Sequence, residues 1–433
     1  MNARAHNSAI AELVHPVDAV PAGARILRTV PEIEEIRGAW TQLLRHPNAD
    51  IDLFLSEISS RPQILRPHVI LLNRLGIPET ILVGRLEIGR MDFRIGYASL
   101  LSRQARTLTF IHGGLLGNCS SNTSDILVQE VMNCLRRGEA DVAFFNHLRA
   151  DSPLPASLRR VPSLMSRDFL PAMQIHRSMS LPATAQEFWG RLSPKVRKNQ
   201  KWQAKKLVQD YSGDVKIDCV TETSGLERMI QDVEEIAKKT YQRALRVGFV
   251  DDEDTRRRLS LRARKGWFRG YVLYVANSPC AFWLGTVCNG VFHSDYMGYD
   301  PAFSKHSPGM YLITRIIEQL CEAEGEQRIS SIDFGLGDAE YKRILGDILW
   351  EDTTTYLFAP TLRALGLNAI RTPILFADAL GRKVLERTQL VAKVKKKWRG
   401  SRAATAHRDQ IGELPPSSRI QQEPEKQNAV NAE

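Results

Sequence analysis

The chain has 433 residues, 43% of them hydrophobic and 25% charged, with a formal net charge of +10. That length exceeds one ordinary hydrophobic core, so two lobes sharing an interface are expected, and the composition excludes a fibrous or wholly disordered protein. No run of about 18 apolar residues is present and residues 1–23 lack the unbroken apolar block of a secretory leader, so the expected location is cytoplasmic.

Residues 1–24 are rich in Ala and Pro without periodicity and are expected to be disordered. A first unit over 25–160 opens with PEIEEIRGAWTQLL, which sets Ile33, Ile36, Trp40, Leu43 and Leu44 on one helical face. PHVILLNR, TILVGRLE and TLTFIHG read as strands, SDILVQEVMNCLRRG as a helix capped by Ser124 or Asp125, and DVAFFNHL as a further strand. Proline-rich DSPLPASLRRVPS reads as a connector.

A second unit over 175–360 repeats that order. Helices are expected in GLERMIQDVEEIAKKTYQRAL and DDEDTRRRLSLRARKG, then strands in RGYVLYVA, AFWLGTVC and GVFHSDYMGY. A helix after Ser307-Pro308-Gly309, a strand RISSIDFG, a short helix AEYKRILG and a strand TTTYLFA complete it. The repeated element order predicts two similar α/β lobes, each a mixed, mostly antiparallel sheet flanked by helices. Residues 361–433 are expected to form a basic helical tail that ends unstructured.

The positive charge is local. Residues 189–208 carry seven Lys/Arg and no acid, and residues 381–433 carry twelve Lys/Arg against six Asp/Glu; those surpluses together exceed the whole-chain +10. The body is therefore slightly acidic, and the basic segments suit a phosphate-bearing ligand, RNA or an anionic membrane surface. Lys393, Lys395, Lys396, Lys397 and Arg399 beside Trp398 read as a solvated helix end or as a peripheral contact with the inner face of the membrane. The six cysteines form no CxxC pair and are expected to be reduced and mostly buried.

Several constellations could carry chemistry. Ser307 is a favoured N-cap and Pro308 suits a first helical turn, yet the same helix start, with Gly309 in it, could equally cradle a phosphate. If GVFHSDYMGY is a strand, alternation puts His293, Asp295 and Tyr299 on one face, as a base or proton relay or as a satisfied structural pair. Asp333 on the neighbouring strand is a further candidate. Gly335 and Gly337 let a substrate lie against the strand end, Asp338 is placed to cap the next helix, and Tyr341 and Lys342 project from its first turn. Arg197, Lys198 and Lys201 fall at helical spacing, as a clamp on phosphate or carboxylate or as a solvated basic face. The scattered histidines supply no ligand cluster of their own, and no metal site is expected.

YDPAFSKHSPGMYL, DFGLGDAEYKRILG and RLSPKVRKNQKWQAKKL, with weaker support from EIEEIRGAW, together resemble the GNAT acyltransferase superfamily in its two-lobed CelD-like and FemAB-like branch, over roughly residues 26–360. The resemblance implies an N-acyltransferase that binds acetyl-CoA or another acyl-CoA in a V-shaped cleft of the second lobe. The pyrophosphate would sit on backbone amides matching His306, Ser307, Gly309 and Met310. It also implies acceptor contacts at Lys342 and its neighbour Tyr341, no metal, and an amine or hydroxyl acceptor on a cell-envelope or exopolysaccharide precursor. The chain departs from the superfamily's Gln/Arg-x-x-Gly-x-Gly/Ala pattern by a proline and a missing glycine. Two alternatives remain: a FemAB-like transferase drawing on aminoacyl-tRNA, with RNA meeting residues 189–208, and a non-catalytic accessory protein of polysaccharide synthesis. The glycines of HGGLLGNCSSNTSD precede their helix by several residues, so the first lobe is expected to be donor-free.

Overall fold

The computed structural model describes residues 23–387, apart from 96–97, 241–242, 244–247, 324 and 326–327. The expected disorder of residues 1–22 and the cationic cluster at 393–399 lie outside the described residues.

The first half runs β1 (Gly23–Leu27), α1 (Val30–Glu35), α2 (Arg37–Leu43), α3 (Ile51–Ser60), β2 (Ile64–Pro67), β3 (Val69–Arg74), β4 (Ile77–Ile95), β5 (Ala98–Gly117), α4 (Ser121–Arg136), β6 (Val142–Arg149) and α5 (Pro153–Arg160). Then come β7 (Ala172–Ser180), α6 (Ala185–Arg191), α7 (Pro194–Asp210), β8 (Val215–Val220), α8 (Leu226–Lys239), α9 (Glu253–Arg264), β9 (Phe268–Val275), β10 (Ser278–Cys288) and β11 (Val291–Tyr299). The chain closes with α10 (Pro308–Glu322), β12 (Ser331–Leu336), α11 (Glu340–Leu345), β13 (Ile348–Phe358) and α12 (Leu362–Arg387).

The mixed α/β architecture matches the expected class, and four local readings need correction. The α4 cap is Ser120, whose side chain accepts from the Thr123 amide, so the helix starts one polar turn ahead of its apolar stripe, which begins at Ile126 and Leu127. The connector is the helix α5, with prolines tolerated in its first turn. PEIEEIRGAWTQLL is two short helices, α1 and α2, because Ile36 (φ −102°, ψ 10°) leaves the helical conformation between them, although Ile33, Ile36, Trp40 and Leu44 still share one core. Asp338 does not cap α11: the N-cap is Ala339, and Asp338 accepts from Arg177 Nε at 2.8 Å.

Among the described residues thirteen strands join one sheet in the order β1-β3-β4-β5-β6-β13-β7-β12-β11-β10-β9-β8, with β2 on β4. Most pairings are antiparallel. Two parallel ones matter: β5 with β6 over Thr107–Phe110 and Val142–Phe145, and β11 with β12 over Val291–His293 and Ser331–Asp333. Beyond His293 and Asp333 the second pair diverges, β11 running to the start of α10 while β12 turns onto β7. The lobes are also laced together. β7, from the segment between the halves, inserts beside β12, and β13, after the last helix of the second half, inserts beside β6. Leu357, Phe358, Ala359, Ala364 and Leu367 accordingly complete the core around Phe110, Leu127, Val131 and Phe145. Trp283, Phe292, Leu312, Ile316 and Ile332 centre the other large core. All six cysteines are free; Cys134, Cys280, Cys288 and Cys321 are buried, and Cys219 is exposed.

Candidate active site

In the sheet β13 and β7 stand between the parallel pair β5–β6 and the parallel pair β11–β12, and polar side chains from both halves meet there. His293 ends the parallel register on β11 and Asp333 faces it on β12. From the first half come His46, ahead of α3, and His112 and His147, each two residues past the last parallel pair of β5 and β6. The laced strands add His176 on β7 and Trp350 and Asp352 on β13. Ring centroids are 4.6 Å apart for His46 and His112, 4.7 Å for His46 and His293, and 5.5 Å for His112 and His147. The histidines, scattered in the sequence, thus form a cluster, contrary to expectation. The reason is topological: six separate strands and one loop bring these side chains to the same place.

His176 is held at both ends, Nδ1 2.6 Å from Asp352 Oδ2 and Nε2 2.6 Å from Asp333 Oδ1, with the Trp350 ring stacked at 4.2 Å. Burial opposes charge on this ring, but the two carboxylate hydrogen bonds outweigh it and raise its pKa to about 9, so it is an imidazolium at neutral pH. Burial alone would raise the Asp333 pKa; the hydrogen bond from His176, with the His293 ring 3.3 Å away, drives it well below the usual carboxylate range. Burial, reinforced by neighbouring histidines, depresses His46, His112 (to about 4) and His147 (to about 3), leaving three neutral imidazoles. His46 lies flat over Gly113, where an added Cβ would stand 2.5 Å from its ring; Gly113 has φ +73°, so only glycine suits the spot.

The three candidate proton acceptors on β11 separate. Register slips between Leu284, paired with Tyr296, and Gly285, paired with Ser294, so Asp295 is the extra residue of a β-bulge and the expected alternation fails. Asp295 is engaged by Arg262 Nη1 at 2.8 Å and Thr286 Oγ1 at 2.7 Å. Tyr299 packs with the core of Phe292 and α10, where burial raises its pKa. His293 remains at the fork, with neither buried ring nitrogen in a hydrogen bond.

At the mouth of the fork, Ser307 occupies the N-cap of α10 but has φ +50° and makes no side-chain cap bond, so its hydroxyl does not plug the helix end. Tyr311 N–H is spent on Ser307 C=O, and Pro308 has none to offer, which leaves the Gly309 and Met310 amides as the donors of that first turn. A Cβ at Gly309 would touch only Tyr299, at 3.4 Å. His306 is fully buried there, its Nε2 3.4 Å from Asp210 Oδ2 at the end of α7, and burial lowers its pKa. The equivalent end of α4 differs: Ser120 Oγ already takes the Thr123 amide.

The remaining candidates are spread out. Arg197 donates to the Trp189 carbonyl at 3.2 Å, while Lys198 and Lys201 are exposed, Lys201 lying 5.6 Å over the Trp189 ring. Gly335 and Gly337 have φ +72° and +98°, and the Gly335 amide donates to Asp333 Oδ1 at 2.7 Å, fixing the strand end. Lys342 does not project outward: it is buried, donates to Leu336 C=O at 2.6 Å, and burial lowers its pKa to about 8. Tyr341 sits against Phe334 at 6.0 Å. Sequence reasoning missed His46, His112, His147, His176 and Asp352. The available signal was a polar residue closing successive apolar strands, in TLTFIHG, DVAFFNHL and SIDFG.

Residues 194–343 match the family described as acetyltransferase (GNAT) domain. The interval contains α7, the β11–β12 fork and the start of α10. Among solved structures the chain is similar to FemX, at 9% identity and TM-score 0.50 over 76% of this chain and 96% of that one, which shows a shared fold. It also matches a tandem GNAT protein from the clavulanic acid biosynthesis pathway (12% identity, TM-score 0.44, 77% and 98% covered). A third match is the C-terminal domain of a putative lysylphosphatidylglycerol synthetase from Agrobacterium fabrum (13%, 0.44, 79% and 97%). No curated protein matches the chain.

Proposed function

We propose that this two-lobed chain of the GNAT superfamily moves an acyl group, in the first instance acetyl, from acyl-CoA to an amine or hydroxyl of a cell-envelope or exopolysaccharide precursor. The observation that carries the reading is the β11–β12 fork, which opens from His293 and Asp333 toward the unplugged amides of Gly309 and Met310. A pantetheine arm laid in such a fork would have its pyrophosphate on a positive helix end and its thioester at the apex. Lys206 and Lys305, close enough to His306 to bias its titration, add positive charge at the mouth. At the apex the acceptor nucleophile would be activated beside His293 and Asp333, in a seam built by both lobes, so neither half alone holds a complete site. The polysaccharide acceptor rests on the motif resemblance.

The test is a calorimetric titration with acetyl-CoA and a longer acyl-CoA at low and high salt. Saturable binding supports the reading, and no heat at millimolar ligand removes it. One observation favours a second reading, the aminoacyl-tRNA-dependent transfer: α7 exposes Lys195, Lys198, Lys201 and Lys205 beside a half-exposed Trp202, a surface suited to a phosphate backbone. Binding of that kind would fall steeply with salt, and a flat response would remove it. Among the described residues no helix is long and apolar enough to cross a membrane. Membrane contact of the basic tail is accordingly proposed as peripheral, and loss of vesicle co-sedimentation on removing residues 390–433 would support it.

A further inference from the structure

The seam holds two sets of three side chains whose nitrogen and oxygen ligand atoms lie within 4.8 Å of one another: His46, His293 and Asp333, and His112, His176 and Asp352. Their geometries point to different roles. In the second set His176 Nδ1 and Asp352 Oδ2 are 2.6 Å apart, a hydrogen bond with no room for a cation between them. In the first set His293 Nδ1 and Asp333 Oδ2 are 3.3 Å apart and misaligned for a hydrogen bond. Two ligands at about 2.0–2.1 Å from a tetrahedral ion stand about 3.3–3.4 Å from each other, so that separation is the edge of a coordination tetrahedron.

Hydrogen-bond accounting leads to the same place. Both ring nitrogens of His293 are buried without a partner, a state native interiors rarely leave unfilled. Asp333 is already held for ligation: Oδ1 accepts from His176 Nε2 and the Gly335 amide, which leaves Oδ2 facing His293. His46 supplies the third corner. Its Nδ1 accepts from the exposed Asn48 amide at 3.1 Å, so the nitrogen left for an ion is Nε2; ligation there moves the ring proton to Nδ1 and returns the Asn48 amide to water.

We propose that His46, His293 and Asp333 bind one divalent first-row transition metal of the zinc class. Two imidazoles and one carboxylate suit such a cation and not magnesium or calcium, which take oxygen ligands. With three protein ligands a fourth position stays open, and a hydroxyl bound there ionises near neutral pH. This last role, activation of the acceptor at the fork apex, rests on the acyltransfer reading; metal binding itself does not.

The test uses the full chain, stripped with a chelator and titrated with Zn²⁺ by calorimetry and with Co²⁺ by visible absorption. Expected are one ion per chain, the intense d–d bands of a low-symmetry Co²⁺ site, and loss of hydrogen-exchange protection at the Asn48 amide. His293→Gln, Asp333→Asn and His46→Gln should each weaken binding at least about tenfold. His112→Gln should change it less than about threefold, because the second set is not a ligand set. Misfolding is excluded by thermal melting of each variant: loss of the ion in His293→Gln that still melts cooperatively near the parent temperature is loss of a ligand and not of the fold. Absence of saturable stoichiometric binding, or binding indifferent to all three substitutions, overturns the proposal. Acyl-CoA titration of the stripped protein reports on the acyltransfer reading separately, so the two can fail independently.

Discussion

If the amides at the start of α10 hold a pyrophosphate, Gly309→Glu should weaken acyl-CoA binding through charge and not through volume. An added Cβ there meets only Tyr299 Cδ1, at ordinary contact distance, so a longer side chain leaves the helix without a clash. The helix itself should tolerate the change, since an acidic group in a first turn is favourable by about 0.3–1 kcal/mol. Against a phosphate charge about 6 Å away the new carboxylate costs between about 0.7 kcal/mol at the dielectric of water and about 2.8 kcal/mol at an effective value near 20. That range is a loss of about 3- to 100-fold in affinity, and it should shrink as salt rises. Calorimetry on the glutamate variant and on Gly309→Gln, its neutral match in size, separates the causes. Equal loss in both variants would mean that bulk is responsible, and no loss in either would place the phosphates elsewhere; each result refutes the assignment.

Other substitutions test neighbouring steps. Asp295→Asn leaves the Arg262 guanidinium buried without its carboxylate, so denaturant unfolding should show a loss of about 3–5 kcal/mol while kcat changes little; a large fall in kcat at unchanged stability would return Asp295 to the chemistry. Gly113→Ala forces a Cβ into the His46 ring at φ +73° and should lower the melting temperature markedly, whereas Gly76→Ala, with the same handedness but open space, should cost less. His68 is buried with its pKa pulled to about 3 by desolvation and then by Arg66, so the stability it protects is complete above pH 6.5 and drains as pH falls toward 3, at about 1.4 kcal/mol per unit. His68→Gln should therefore flatten the denaturation midpoint between pH 5 and 6.5, and an unchanged slope would show that the ring is not neutral in the folded protein.

How much of this was legible in the sequence depends on distance along the chain. α8, α9, β9–β11 and the helix after Ser307 were readable because their signals are local: an apolar period, a capping residue, a proline in a first turn. β7 was not seen, because AMQIHRSMS alternates only weakly and owes its place to β12 and β13 on either side. The candidate site divides the same way. His293 and Asp333 sit on readable strands, but Asp295 was misplaced by a bulge that no composition announces. His46, His112 and His176 become neighbours only once the two halves share a sheet.

That sharing has a consequence for the lobes as units. A break near residues 160–175 looks natural in the sequence, yet β13 stands between β6 and β7, and the first core takes Leu357, Phe358, Ala359, Ala364 and Leu367 from beyond it. Five buried apolar side chains, at about 1–3 kcal/mol for the larger ones, represent a sum comparable with the whole stability of an ordinary domain. A chain stopped after Gly346 should consequently lose hydrogen-exchange protection along Thr107–Phe110 and Val142–Phe145, even though every residue of those strands is present. The parallel pairing of Val291–His293 with Ser331–Asp333 should keep more of its protection, since α10 and Leu345 remain in its core. A peptide spanning residues 347–387, added in trans, should restore the first set. Retained protection at β5 and β6 in the shortened chain would mean that the lobes fold separately and that the shared strand is decoration; loss confined to the first core would show that the last strand of the chain finishes the lobe that began it.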